Sequence, residues 1–171
     1  MDGQNEREFR EYVAARQDRL FRVALLLTGH REDAEDLLQT ALTKLALHWT
    51  TAARATSVDA YVRKILYHQQ VGHWRRRAPH REYATAAPPD PGVVDDPATD
   101  TALRVTLSRA LGQLTHRQRA VLVLRYYEDL PESEVARILG CAVGTVRSQT
   151  ARTLARLRTL CPDLLSTMER T

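Results

Sequence analysis

Arginine is concentrated near the end of this chain, together with Gln, Ser and Thr, in a segment that lacks acidic residues. Positions 137, 147, 152, 156 and 158 are arginine, and residues 135–161 contain neither Asp nor Glu. Arginine forms paired hydrogen bonds with phosphate or guanine, and Gln, Ser and Thr can hydrogen-bond base edges. The chemistry that these residue types indicate is recognition of a nucleic acid.

Two short helical patterns must position these side chains, and they meet at Gly140 and Cys141. The first pattern covers Pro131 to Leu139 and the second covers Val143 to Leu160. Two helices joined by a tight turn, the second of them basic, are typical of a helix-turn-helix that reads the DNA major groove. One stripe of the second helix is expected to pack inward: Val143, Val146, Thr150, Leu154 and Leu157.

The rest of the second helix is expected to face DNA. Residues near the start of a recognition helix usually reach base edges, and later residues meet the phosphate backbone. The expected contacts are Thr145, Arg147, Ser148, Gln149, Arg152 and Arg156. From the preceding helix, Arg117 and Arg119 are candidates for phosphate contacts. The alternative is that these side chains form a solvated face of a helical bundle.

A second basic block lies in the first half of the chain. No acid occurs from Val62 to Arg81, whereas six basic residues do: Arg63, Lys64, Arg75, Arg76, Arg77 and Arg81. The formal net charge is only +4, so the basic charge is concentrated rather than spread. Blocks of this kind indicate a polyanion partner, although one block alone could be a solvated helix face.

The composition predicts an all-α protein without metal or cofactor. Of 171 residues 43% are hydrophobic, glycine is scarce, and no clear alternation of apolar and polar residues appears. Cys141 and Cys161 lack the spacing of a zinc site or a disulfide framework. An apolar signal core and an 18-residue apolar run are both missing, so we expect no membrane insertion and a cytoplasmic protein.

Proline divides the chain into two helical domains. Five of the seven prolines lie in residues 78–100, which predicts a flexible, semi-extended linker. We therefore expect a domain over residues 6–78, a linker over 79–100 and a second domain, containing the helix-turn-helix, over 101–161. Besides the two helices above, periodicity predicts helices over residues 6–28, 31–49, 58–77, 101–114 and 116–128. Residues 50–57 are expected to form a polar loop.

The C-terminal segment resembles a known family of transcription factors. The string LTHRQRAVLVLRYYEDLPESEVARILGCAVGTVRS is similar to the promoter-reading domain of extracytoplasmic-function sigma factors, the smallest members of the main bacterial sigma family. The resemblance implies binding to the −35 promoter element and to the flap of the polymerase β subunit. Pro131 and Ala142 stand where the family usually has Ser or Thr. Gln149 stands where Arg is common, a departure that bears on the −35 sequence read.

The N-terminal segment resembles the other domain of the same family. REDAEDLLQTALTKLALHW is similar to the helix that docks on the β′ clamp helices of the polymerase. The implied contacts with core polymerase are Asp33, Glu35, Asp36 and Gln39. Thr40 stands where the family often has an acid. An acidic rim can meet a basic partner surface, but acids in a first turn also complement the helix dipole.

The segment AYVRKILYHQQVGHWRRR resembles the helix that meets the −10 element. The implied contacts with −10 DNA are Arg63, Trp74, Arg75, Arg76 and Arg77. Family members hold a flipped base in a pocket made by the preceding loop, which corresponds to residues 48–57. Tyr61 matches a tryptophan of the family core.

Taken together, the resemblance implies an initiation factor rather than an enzyme. Its partners would be core RNA polymerase and promoter DNA, with an anti-sigma protein as a further candidate. A conventional helix-turn-helix regulator is the first alternative, but it would need a dimer interface to read two half-sites. A nucleic-acid enzyme is the second. The sequence offers such an enzyme no carboxylates at metal-ligand spacing, no phosphate-binding glycine loop and no nucleophile motif. Asp33, Glu35 and Asp36 could suggest a metal site, but helical geometry points residues 33 and 35 to different faces.

Overall fold

The structure is a computed structural model, and it describes residues 2–77, 106 and 109–162, with the backbone alone for residues 74–77. Every regular element in these ranges is helical, so the prediction of an all-α fold is confirmed. Contacts divide the chain into an N-terminal unit, Met1–Arg77, and a C-terminal unit, Ala78–Thr171. The predicted linker at 79–100 lies outside the described residues.

Four helices form the N-terminal unit: α1 (Gly3–Thr28), α2 (Arg31–Leu47), α3 (Trp49–Ala53) and α4 (Val58–Arg77). The Asp2 carboxylate caps α1 by accepting from the Asn5 amide at 2.8 Å. Gly29 ends α1 in the left-handed region, at φ 81°, where its amide donates to the Leu25 carbonyl. The helices enclose an apolar core: Leu20, Val23, Ala24, Leu27, Ala34, Leu37, Ala41, Leu45, Val62 and Leu66.

The short helix α3 corrects the expectation of a loop over residues 50–57. The chain leaves α2 at Leu47, and Trp49 turns into the core, where it is 4% exposed. The Trp49 ring packs edge-on against Phe9, with ring centroids 5.4 Å apart, and against Tyr12 at 5.7 Å. The segment is polar in composition, but the burial of one indole orders it as a helical turn.

A polar contact joins α1 to α4. The Tyr12 hydroxyl donates to Asp59 Oδ1 at 2.8 Å, and Arg16 Nε lies 3.4 Å from the same oxygen. Burial, together with the neighbouring Asp59 carboxylate, raises the pKa of the Tyr12 phenol above its ordinary value. The hydroxyl is therefore a proton donor across the whole physiological range.

The C-terminal unit contains a helical segment at residues 109–112, followed by α5 (His116–Leu122), α6 (Glu132–Leu139) and α7 (Val143–Leu160). Thr115 and Gln118 form a capping box that starts α5. The single helix predicted over 116–128 is instead α5 followed by a π-helical turn, Val123–Tyr127, in which the Glu128 amide reaches the Val123 carbonyl. The predicted helix at 101–114 lies partly outside the described residues.

Candidate nucleic-acid interface

A three-residue turn joins α6 to α7 and fixes the helix-turn-helix. Gly140 adopts φ 64° and ψ 44°, a left-handed conformation that favours glycine over residues with a Cβ. The Cys141 amide donates to the Ala136 carbonyl at 3.0 Å. Ala142 is extended, at φ −72° and ψ 152°, and begins α7. The two helices predicted from the sequence therefore meet at the predicted turn.

The inward face of α7 differs in part from the predicted stripe. Val146 and Thr153 are fully buried, whereas Val143 is 39% exposed. Thr153 lies seven residues after Val146, a rotation of roughly 20° around the helix, so the two side chains face the same way. The Thr153 hydroxyl donates to the Gln149 carbonyl at 2.7 Å, so its burial leaves no unpaired donor. Val143 shares its angular position with the half-buried Thr150 and Leu154, but it is the first residue of α7, so the prediction that it packs inward was wrong.

The polar side chains of α7 lie on its outer surface. Arg147, Ser148, Arg152 and Arg156 are exposed, and Thr145 and Gln149 are half-buried. Arg156 Nη2 donates to the Gln113 carbonyl at 2.8 Å, which ties this guanidinium to the turn before α5. Six of the predicted DNA contacts therefore belong to one helix and remain reachable from solvent.

An acid at the start of α6 pairs with Arg147. The Nε and Nη2 groups of Arg147 donate to Glu132 Oε2, at 3.2 and 2.9 Å respectively. The hydrogen bond and the charge of Glu132 raise the pKa of the Arg147 guanidinium. Glu132 was not among the site residues predicted from the sequence. The one available signal was an acid in the first turn of the helix preceding the recognition helix.

Arg119 does not share the exposed surface, and its assignment to a phosphate contact is corrected. It is 1% exposed, and its Nε and Nη2 donate to the Leu111 carbonyl at 3.2 and 2.9 Å. Burial lowers the pKa of the Arg119 guanidinium to about 10, so it remains charged at neutral pH. Arg119 holds the 109–112 segment against α5, whereas Arg117 is exposed.

In the N-terminal unit, the acids assigned to polymerase binding are exposed on α2. Asp33, Asp36 and Gln39 are open to solvent, and Glu35 pairs with Arg31 at 2.9 Å. Glu35 and Gln39 border an apolar groove of about 530 Å³ between α1 and α2. The other lining residues are Phe9, Val13, Leu38, Leu42, Thr43 and Ala46. Polar groups thus surround an open apolar surface, the composition of a protein-binding face.

The candidate −10 residues lie on α4. Arg63 is half-buried, and its Nε donates to the Asp59 carbonyl at 3.0 Å. The backbone of residues 74–77 continues α4, but the side chains of Trp74, Arg75, Arg76 and Arg77 lie outside the described residues. In the segment assigned to the flipped-base pocket, Trp49 and Ala52 belong to the core and are not available to stack on a base.

Both units match family models of bacterial sigma factors. Residues 12–79 match the model described as Sigma-70 region 2, and residues 104–157 match Sigma-70, region 4. The sigma-E factor of Streptomyces avermitilis is 42% identical over 151 residues, covering 88% of this chain and 83% of the relative. The SigM factor of Mycobacterium tuberculosis, an ECF sigma factor, is 31% identical and covers 82% and 70%.

The chain belongs to the extracytoplasmic-function (ECF) sigma factors. Sigma factors bind core RNA polymerase and promoter DNA and act in transcription initiation. A solved complex of the sigma factor RpoE with the anti-sigma factor NepR, from Bartonella quintana, has the same fold, with a TM-score of 0.66. At 22% identity it covers 91% of this sigma factor and 98% of that chain. No helix within residues 2–77 or 109–162 has the length and apolar character needed to cross a membrane.

The start of α7 lacks a side-chain cap. Ala142 is extended like an N-cap residue but accepts no hydrogen bond through its side chain. We expect Ala142→Ser to stabilise the C-terminal unit by about 1 kcal/mol, because a serine hydroxyl can accept from an orphan amide of the first turn. The thermal midpoint should then rise by about 4–8 °C for a unit of this size.

Ala151 provides the matched control for this prediction, since it is exposed in the middle of the same helix. Ala151→Ser adds the same hydroxyl where no amide is unpaired, so it should leave the midpoint unchanged or lower it slightly. An unchanged or lower midpoint for Ala142→Ser would show that the first turn of α7 does not need a cap.

Proposed function

We propose that the two units of this sigma factor divide promoter recognition between them. The domain over residues 6–78 would bind core polymerase and the −10 element, and the domain over 101–161 would bind the −35 element and the β flap. Residues 79–100 would link them. The observation that carries the proposal is the outward, acid-free arginine face of α7 in a domain of the region 4 family.

At the −35 element, α7 would lie in the major groove. The exposed Arg147, Ser148 and Arg152 would reach base edges, together with the half-buried Thr145 and Gln149. Arg156 and Arg117 would contact phosphates on the flanks. Arg119 is no longer part of this set because its guanidinium is buried against the Leu111 carbonyl.

At the polymerase, α2 would dock on the β′ clamp helices. Asp33, Glu35, Asp36 and Gln39 supply a polar, mainly acidic rim. The groove between α1 and α2 supplies the apolar area that a stable interface needs. The combination suits a helical partner with basic residues at the edge of an apolar stripe.

At the −10 element, Arg63, Trp74, Arg75, Arg76 and Arg77 would hold the separated strand. Extruding a base from the duplex costs a few kcal/mol, which stacking and phosphate contacts can offset. The factor would contribute no catalysis of its own. It would act on polymerase in the cytoplasm, and an anti-sigma protein is a candidate regulator.

Neutralising three arginines among the −10 candidates tests whether these residues act in DNA opening rather than in polymerase binding. We expect the triple variant Arg75→Gln, Arg76→Gln, Arg77→Gln to form open complexes poorly and to bind core polymerase normally. If each arginine meets one phosphate of the single strand, the slope of log affinity against log salt falls by about 2. Permanganate footprinting measures opening, and titration of labelled protein measures polymerase binding. Equal losses in both measurements would contradict the −10 assignment.

The deciding experiment for the function is transcription of fragmented genomic DNA by core RNA polymerase, with and without this protein. New transcript starts that share one motif near −10 and another near −35 are expected. If no new starts appear and the protein alone binds DNA sequence-specifically, the chain acts as a conventional helix-turn-helix regulator.

A further inference from the structure

We propose that Glu132 positions the Arg147 guanidinium for base recognition, and so sets how strongly one base pair of the −35 element is discriminated. The inference rests on the proposed placement of α7 in the major groove. Its basis is a contact between two helices: an acid that begins α6 reaches a base-reading candidate in the second turn of α7.

The pair is arranged with the arginine outside and the carboxylate behind it. The Arg147 side chain is 72% exposed, whereas that of Glu132 is 28% exposed. Both Arg147 donors, Nε at 3.2 Å and Nη2 at 2.9 Å, meet the same oxygen, Glu132 Oε2. The carboxylate therefore holds the Nε side of the planar guanidinium from the protein side.

This arrangement leaves the other edge of the guanidinium for DNA. Arginine has five N–H donors, and the Glu132 contact uses one from Nε and one from Nη2. The N–H groups of Nη1 and the second N–H of Nη2 form the terminal edge, and two parallel donors on that edge fit O6 and N7 of guanine. A side chain already held in this geometry loses less conformational freedom on binding.

The neighbouring acid of α6 makes a different contact. The Glu134 carboxylate pairs with Arg137 of the same helix, through Arg137 Nε at 2.9 Å and through Nη2. Glu132 and Glu134 have the same charge and lie in the same first turn of α6. The two acids differ in their arginine partners: Glu134 pairs with Arg137 within α6, whereas Glu132 pairs with Arg147 of the recognition helix α7.

The negative charge of Glu132 also affects the overall affinity for DNA, and this effect distinguishes a positioning role from a purely structural one. Glu132 repels phosphates, so it lowers affinity for every sequence while it sharpens the choice of base. Removing its charge should leave overall DNA affinity unchanged or higher and should reduce discrimination at one position. A purely structural role in α6 would move affinity and discrimination down together.

The test uses the full chain bound to core RNA polymerase and promoter duplexes in which each −35 position is varied in turn. The starting promoter is one found in the transcription experiment. Five proteins are compared: wild type, Glu132→Gln, Glu134→Gln, Arg147→Ala and the double variant Glu132→Gln, Arg147→Ala. The measured quantity is the ratio of affinities for the preferred and the other bases at each position.

We expect Arg147→Ala to abolish the preference at one position and Glu132→Gln to reduce it at that position by about 2- to 10-fold. Glu134→Gln should leave the preference unchanged, because its arginine partner lies in α6. In the Arg147→Ala background, Glu132→Gln should change no base preference, since the group that it positions is gone.

Each other outcome overturns the proposal in a recognisable way. If Arg147→Ala reduces the preference and Glu132→Gln does not, Glu132 is no positioning residue and the proposed function stands. If Arg147→Ala has no effect, the assignment of Arg147 fails together with the inference. If Glu132→Gln weakens the preference at every position alike, its role is structural. If wild-type holoenzyme shows no preference at −35, the proposed function itself fails.

Discussion

Replacing Trp49 with alanine is expected to lower the free energy of unfolding of the N-terminal unit by about 3–5 kcal/mol, the usual range for truncating a buried tryptophan. The indole is 4% exposed and packs against Phe9 and Tyr12. Its loss leaves a cavity beneath α3, so polymerase binding should weaken as the unit unfolds. Urea denaturation followed by circular dichroism measures the loss, and hydrogen exchange of α1 locates it in the N-terminal unit.

Trp49→Phe is the matched variant, because it keeps an aromatic ring against Phe9 and removes only part of the buried area. We expect it to cost less than Trp49→Ala, with hydrogen exchange of α7 unchanged in both variants. A loss below about 1 kcal/mol for Trp49→Ala would mean that the site collapses around the smaller side chain.

Arg152→Ala is expected to weaken binding of the holoenzyme to its promoter by about 5- to 150-fold, the range for one good arginine contact to a base. Arg152 is exposed on the outer face of α7, four residues after Ser148. Within residues 109–162 it makes no hydrogen bond or ion pair, unlike Arg147 and Arg156. DNA that binds Arg152 therefore displaces no partner of its guanidinium within that range. Equilibrium binding to promoter duplex at fixed salt measures the effect.

Arg158 is the matched control, since it is exposed on the same helix but lies in its last turn. Arg158→Ala removes an equal charge away from the candidate base contacts, so it should weaken binding by less than Arg152→Ala. Equal losses for both variants would show that the helix acts through its general positive charge rather than through a base contact at Arg152.

The helices with clear periodicity and clear ends were predictable from the sequence. The predicted bounds of α4 and α7 agree with the structure. An apolar stripe runs along each helix, and the residues on either side of the stripe mark where the helix begins and ends. The one-turn helix α3 was missed, since it depends on Trp49 meeting side chains of α1 that lie far away along the chain. The composition of residues 50–57 alone cannot predict a contact with a residue of α1.

The candidate site was predictable as a surface but not in its individual contacts. Charge and spacing indicated the outer face of α7, yet they could not distinguish the buried Arg119 from the exposed Arg117 two residues earlier. Glu132 was missed for a related reason. It lies fifteen residues before Arg147, and the geometry of the intervening turn is what brings them together.

The packing of Trp49 also bears on where the N-terminal module begins. The family match to region 2 starts at residue 12, but the ring that meets the indole edge-on belongs to Phe9, one turn earlier in α1. A fragment cut at the homology boundary would keep Tyr12 and lose Phe9, exposing one side of the tryptophan on which α3 is built. The folded N-terminal unit therefore begins before the region 2 match, and the first turns of α1 support the segment that leads into α4.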